Sequence, residues 1–233
     1  FESPFIQYVI TVFMFLAGTN FALSYFALSG KPSKLFRNDE FKYYLSIIVF
    51  ATVIITIGLL WKNSTGFEQS FRDAVFQVVS IVTTTGYITS DYLNWIPSGL
   101  WMLIFLLMFV GGSAGSTGGG VKVIRIQMLF KNAYLELKRL LHPNALIPVR
   151  FNQQAVSPKI ITNILAFVIL YLLIFMFSVL VMSFLGLDFE TSMGAVAASL
   201  GNIGPGIGDV GPVENYASIC QPGKWFLGFL MLL

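Results

Sequence analysis

Two short segments carry the most specific chemistry in this sequence, and the chemistry belongs to the backbone. They are 83–87, Thr83-Thr84-Thr85-Gly86-Tyr87, and 201–205, Gly201-Asn202-Ile203-Gly204-Pro205. Each follows an uncharged or nearly uncharged stretch of about three helical turns, 71–82 and 189–200, too short to cross a bilayer. Shifting one segment by 118 positions lays Phe71 on Phe189, Gly86 on Gly204 and Asp91 on Asp209. Each therefore reads as a short helix, a polar tip with glycine, and an acidic return to the surface: an internal repeat. Non-helical backbone at membrane depth is tolerated only where it is buried in protein or lines an aqueous cavity. A helix that ends at mid-membrane brings a partial negative charge there, which favours a cation. The carbonyls of an extended tip can replace the hydration shell of a desolvated monovalent ion, and Gly86 and Gly204 permit the backbone angles this requires. Thr84-Thr85-Gly86-Tyr87 compares with the Thr-Val-Gly-Tyr run of a carbonyl filter.

A second constellation is the run Gly111-Gly112-Ser113-Ala114-Gly115-Ser116-Thr117-Gly118-Gly119-Gly120, followed by Val121 and Lys122. A phosphate-binding loop would need Gly-Lys followed by Ser or Thr after a strand, whereas Lys122 precedes Val123 and 101–110 reads as a lipid-type helix. Six glycines in ten residues break a helix. Placed beneath the tips, the break is either a low-bulk gate or a site of close helix packing through small residues. Lys122 and Arg125 just below it could meet lipid headgroups, the exit of a pore or a partner. Asn20 is an intramembrane polar residue of the kind that faces other protein. Asp91, Asp209 and Glu214 lie near the tips and could concentrate cations. His142 has no second His or Cys near it, and Cys220 is the single cysteine, so neither a metal site nor a disulfide framework is expected. No Ser/His/Asp or paired-carboxylate arrangement falls in any span, so catalysis has no candidate machinery and no cofactor is implied.

The elements that must position these segments follow from composition. Of 233 residues, 56% are hydrophobic and only 11% charged. A soluble domain carries about 25% charged residues, so most of this surface faces lipid. The net charge of +3 is too thinly spread among aromatic residues to suggest nucleic acid. Charge-free intervals predict helices over 5–28, 43–61, 92–121 (interrupted), 160–187 and, beginning only, 225–233. The interval 191–208 is also uncharged, but its Gly, Ala, Ser and Pro205 suit burial rather than lipid. Segments 31–42 and 122–159 hold 11 basic and 3 acidic residues, against 3 basic and 7 acidic in 62–91 and 188–224. The positive-inside rule puts the first pair in the cytoplasm and the second pair outside.

At these residues the sequence resembles the Trk/Ktr/HKT superfamily of potassium transporters, specifically the bacterial Trk membrane subunit. The resemblance rests on Val82-Thr83-Thr84-Thr85-Gly86-Tyr87, on the glycine run through Lys122 and Arg125, on His142-Pro143-Asn144-Ala145, and on Ser199-Leu200-Gly201-Asn202-Ile203-Gly204-Pro205. It implies an all-α polytopic membrane protein of helix–re-entrant pore loop–helix units around a pseudo-fourfold pore, here in part. Residues 1–30 would hold the last helix of the second repeat, 31–42 a cytoplasmic linker, and 43–130 the third repeat. Residues 131–159 would be a second cytoplasmic linker and 160–233 a fourth repeat cut short in its last helix. Thr84, Thr85 and Gly86 would line the third part of a K⁺ filter and Asn202, Ile203 and Gly204 the fourth, with K⁺ as cargo and no cofactor. Residues 111–120 would be the intramembrane gate loop. The family also implies uptake across the bacterial inner membrane, a homodimer of pores, and a cytosolic nucleotide-binding regulatory subunit docking on the 122–159 side. Pro205 stands where an aromatic or aliphatic residue is expected. The first two filter loops and the family's Arg on the final helix have no counterpart, so the chain is expected to be a C-terminal half fragment. A cation-coupled secondary transporter of another solute is the competing expectation; it predicts inverted repeats, whereas both tips here enter from the acidic side.

Overall fold

The computed structural model describes residues 3–62, 66–95, 99–142 and 147–233. Among the described residues ten α-helices carry the architecture: α1 (Pro4–Ala17), α2 (Phe21–Leu28), α3 (Pro32–Arg37), α4 (Asp39–Lys62), α5 (Phe67–Val82), α6 (Gly99–Leu107), α7 (Val123–Leu141), α8 (Pro158–Phe184), α9 (Phe189–Leu200) and α10 (Gln221–Leu230). Four two-residue strands complete it, β1 (Val110–Gly111) paired parallel with β2 (Val121–Lys122), and β3 (Arg150–Phe151) paired antiparallel with β4 (Gln154–Ala155). The described part is thus helical in class, as the composition requires.

Two helices, Asp39–Trp61 and Pro158–Phe184, are long and apolar enough to cross a membrane. At 1.5 Å per residue, the 24 residues of α4 reach about 36 Å and the 27 of α8 about 40 Å. Both expose apolar side chains along their length, among them Val49, Phe50 and Ile57 on α4 and Ile169, Leu173 and Phe177 on α8. Water would not tolerate so continuous an apolar face.

The short helices expected before each tip are both present, and the second has the predicted bounds, 189–200. From Phe76 to Val82 every residue of α5 is buried, as is every residue of α9 from Gly194 to Leu200. α5 packs against α1, α4 and α6, and α9 against α8 and α10, so the order long helix, buried short helix, following helix occurs twice. α5 follows Gly66 without a side-chain cap, whereas α9 starts on one. Asp188 accepts the Thr191 amide at 3.1 Å, and hydrogen bonding by Thr191 holds its carboxyl below the usual carboxylate range.

One expected helix comes out differently, and the interruption expected in another takes definite form. The interval 5–28 is not one helix: α1 and α2 meet at 111°. The bend sits at Gly18-Thr19-Asn20. A Cβ on Gly18 would strike the Tyr44 hydroxyl and stand 2.5 Å from the Thr83 methyl, so the chain passes Tyr44 and Thr83 only as glycine. Asn20 then caps α2, its Oδ1 accepting the Ala22 and Leu23 amides at 2.9 and 3.3 Å. The interval 92–121 is likewise divided, into a 3₁₀ turn (Tyr92–Asn94), α6 and the glycine run; residues 96–98 lie outside the described residues.

The two basic segments meet at one end of the molecule. Asp39 Oδ2 accepts Lys131 Nζ and the Asn152 amide, each at 3.1 Å, joining the start of α4 to α7 and to the β3–β4 hairpin. At the other end Tyr92 donates its hydroxyl to the Gly206 carbonyl at 2.5 Å, joining the two acidic segments. The charge alternation read from the sequence is therefore also a spatial segregation. Between these ends, a single apolar cluster runs through α1, α4, α5, α6, α8, α9 and α10, with Tyr44, Ile55, Phe76, Ile81, Ile104 and Met182 fully buried.

Asn20→Ala removes the α2 cap and, as described below, a hydrogen bond to the glycine run. It should destabilise the protein by about 2 kcal/mol. A thermal-shift measurement on detergent-solubilised protein checks this; an unchanged unfolding temperature would refute the assigned role of the bend.

Candidate functional site

The tips are built by one device used twice. α5 ends on Thr83, after which Thr84 turns left-handed at φ 54°. The Thr84 amide donates to Ile81 O at 3.0 Å and the Thr85 amide to Ser80 O at 2.9 Å. α9 ends on Gly201, after which Asn202 turns left-handed at φ 53°, with Asn202 N to Ser199 O at 3.1 Å and Ile203 N to Ala198 O at 2.8 Å. Each set is the paired bonding of a Schellman cap. The residues correspond one for one at the sequence offset of 118. Two residues further on, Gly86 and Gly204 also take positive φ, 75° and 109°.

Asn is an accepted residue for a left-handed cap, but a β-branched Thr there is strained. The strain at Thr84 has a visible compensation: its hydroxyl accepts the Gly119 amide at 2.8 Å. The first tip is stiffened further by Ser80, whose hydroxyl donates to Tyr87 O at 2.7 Å, and by the Thr83–Thr85 hydroxyl contact at 2.8 Å. The second is held from outside by Tyr216, whose hydroxyl donates to Gly204 O at 2.7 Å.

The tips touch. A Cβ on Gly86 would run into the Ile203 carbonyl oxygen and stand 3.1 Å from Pro205 Cδ. Gly86 and the 203–205 backbone therefore share one place in the fold. Among the described residues no hydrogen-bond donor meets the carbonyl oxygens of Thr84, Thr85, Asn202 or Ile203. These are backbone acceptors beside the C-termini of two buried helices, where the helix dipoles concentrate negative potential. No cluster of His, Cys, Asp or Glu that could hold a metal ion occurs among the described residues, so the site's donors are carbonyl and hydroxyl oxygens.

The glycine run lies against both tips. β1 and β2 pair Val110 with Val121 and Gly111 with Lys122, so the run leaves and returns at one point. A Cβ on Gly118 would stand 3.1 Å from Thr83 O, and one on Gly119 2.6 Å from Gly201 O. The carbonyls ending α5 and α9 thus meet adjacent glycines, tightly at Gly118 and at Gly119 closer than a Cβ would permit without a shift. On its far side the run is held by the α1–α2 bend: Ser113 N donates to Gly18 O at 2.9 Å, and Asn20 Nδ2 to Ala114 O at 2.5 Å. The run is thus closely packed through its small residues against both tips and the bend.

Lys122 turns inward rather than toward headgroups or a partner. Its ammonium donates to Gly118 O at 2.6 Å and lies 3.4 Å from Ser116 O and Oγ. The reason is that the run supplies carbonyls that a buried ammonium needs. Arg125 sits over the Phe167 ring at 3.7 Å. Gly118, Gly119, Gly120, Lys122, Arg125 and Asn202 contribute to the wall of a cavity of about 500 Å³. Gly111 and Gly112 form the base of the run, Gly115 turns left-handed at φ 76° against Asn20, and Thr117 Oγ1 lies 3.5 Å from Ala17 O.

Other expected residues serve otherwise. Asp91 caps the 3₁₀ turn, accepting Leu93 N at 3.1 Å, and Asp209 is exposed in a turn. His142 ends α7 in solvent; Pro143, Asn144 and Ala145 of the same motif lie outside the described residues. Sequence reasoning missed Glu40, a buried carboxylate whose Oε1 accepts the Ala114 amide at 2.5 Å. The available signal was an acid opening an otherwise apolar span, which had been counted only as loop charge.

Ala at Gly86 or Gly204 would strain a positive-φ backbone, but only at Gly86 would its Cβ also collide with backbone, Gly204 having nothing within 4 Å. Gly86→Ala should therefore lower folded yield and unfolding temperature more than Gly204→Ala, as measured on purified protein; equal losses would refute the contact between tips.

Comparisons with known proteins agree in family. The family model described as "TrkH: Cation transport protein" matches residues 63–233. The Trk system potassium uptake protein TrkH of Salmonella typhimurium is 38% identical over 229 residues, covering 97% of this chain and 47% of that protein. The Trk system potassium uptake protein TrkG of Escherichia coli is 34% identical over 208 residues, covering 88% of this chain and 42% of that protein. The crystal structure of the potassium transporter TrkH from Vibrio parahaemolyticus superposes with a TM-score of 0.92 at 34% identity, covering 100% of this chain and 50% of that one. The chain spans about half the length of the relatives it matches. With a matching family model over most of its length and one fold shared with a potassium transporter, this chain belongs to the TrkH family of cation transport proteins.

Proposed function

We propose that this chain supplies two of the four parts of a pore for K⁺ uptake across a bacterial inner membrane. In this reading 1–30 is the end of a second repeat, 43–130 a third and 160–233 a fourth, with 31–42 and 131–159 as cytoplasmic linkers. Thr84, Thr85 and Gly86 line one quarter of the filter, and Asn202, Ile203 and Gly204 another. The observation that carries the proposal is the pair of matched helix caps that set touching tips, with carbonyls lacking donors, at one place in the fold. An ion the size of K⁺ would exchange water for such oxygens without a charged ligand. The same direction of both repeats favours a pore over the inverted-repeat transporter.

Gly111, Gly112, Ser113, Gly115, Ser116, Thr117, Gly118, Gly119 and Gly120 belong to the gate. The run stands under both tips, so an ion leaving them toward the basic end meets it first, and it must move for current to flow. The relatives named as Trk potassium uptake proteins support K⁺ as the cargo. A homodimer of pores and a cytosolic nucleotide-binding subunit docked on the 122–159 side complete the proposal. Lys122 and Arg125 then line the path below the gate.

Rb⁺ uptake into proteoliposomes by the complete transporter, with Na⁺ competition, tests this. Gly86→Ser should lower the K⁺/Na⁺ permeability ratio by about tenfold, a cost of roughly 1.4 kcal/mol at one coordination layer. Deleting 112–119 should raise basal flux. An unchanged ratio would refute the filter assignment, and a silent deletion would refute the gate.

A further inference from the structure

Glu40 is 3% exposed, yet it opens an apolar membrane-length helix. A carboxylate there could serve only to complement the α4 dipole, which an exposed one would do as well. Its direction says more. Oε1 accepts the amide of Ala114, in the middle of the glycine run, while the Lys122 ammonium holds Gly118 O on the other limb of that run. The neighbouring residue faces the opposite way. Asp39 donates its amide to Asn152 Oδ1 at 2.8 Å and accepts the Asn152 amide and Lys131 Nζ, each at 3.1 Å, while Gln127 Nε2 donates to Asp39 O at 3.1 Å. Asn152 and Gln153, at φ 46° and 68°, form the two-residue turn of the exposed β3–β4 hairpin.

We propose that Asp39 and Glu40 are a two-sided link: the hairpin at 150–155 grips Asp39, and Glu40 in turn latches the glycine run shut at Ala114. This rests on reading 111–120 as the gate. The two residues share the first turn of α4, so a displacement of the hairpin tilts or rotates that turn and withdraws the carboxylate. Ala114 N–H then loses its acceptor, and the limb of the run that Glu40 holds is released. A ligand or protein that pulls on the exposed hairpin would act on the pore through these residues without touching the run. Glu40 is thus a positioning residue for gating, not an ion ligand.

The test is Rb⁺ uptake by the complete transporter in proteoliposomes without any cytosolic protein. Glu40→Ala should raise basal uptake about tenfold, the order expected for one charged hydrogen bond and its unpaired partner. Glu40→Gln, which keeps shape and an acceptor oxygen, should raise it less. The K⁺/Na⁺ ratio should stay at the wild-type value in both, since the tips are untouched; a carboxylate with a merely structural role would lower yield and flux together. Asn152→Ala should also raise basal uptake and add nothing in the Glu40→Ala background. Wild-type or reduced basal uptake in Glu40→Gln and Glu40→Ala, alongside a leaking 112–119 deletion, would overturn the latch and leave the gate standing; a deletion that does not leak would overturn the gate itself. Additive effects of Asn152→Ala and Glu40→Ala would overturn transmission from the hairpin.

Discussion

Every backbone amide and carbonyl inside a membrane must find a partner within the protein, because lipid offers none. Among the described residues, helices give way to irregular backbone at the α1–α2 bend, the two tips and the glycine run. The chain satisfies them largely with one another. Gly18 O and Asn20 serve the run, Thr84 serves it from above, and Glu40 and Lys122 from the basic end. The unwound segments form a connected polar core inside an apolar bundle. The exceptions among the described residues are the carbonyls of Thr84, Thr85, Asn202 and Ile203, which meet no donor.

Periodicity and charge made much of the scaffold readable. The two long helices, the buried short helices and the segregation of basic from acidic segments all follow from hydropathy and counting. The 118-residue repeat was visible in three pairs of aligned residues. Its physical content was not, because Schellman bonding and φ signs depend on the chain after the helix. Asn202 hinted at a left-handed cap; Thr84 gave no hint, since its strain is relieved by an amide 35 positions away.

The misread elements share a cause. Residues 5–28 carry no charge, and hydropathy alone cannot tell a continuous span from one folded on itself. The bend at Gly18 follows from the nearness of Tyr44 and Thr83, contacts between elements that no local pattern encodes. Lys122 and Glu40 were scored as loop charges for the same reason. Glu40 meets an amide 74 positions away and Lys122 turns back on the run just before it, so charge counting recorded their sign but not their direction.

The parallel pairing of Val110 with Val121 and Gly111 with Lys122 fastens the glycine run at a common root. That root is itself tied to α7, whose first amide, Val123 N, donates to Gly112 O at 3.1 Å, so the run is hinged on that helix. Ser113, Ala114 and Gly119 each give a backbone amide to a different element, so lifting the run from its seat costs three hydrogen bonds at once.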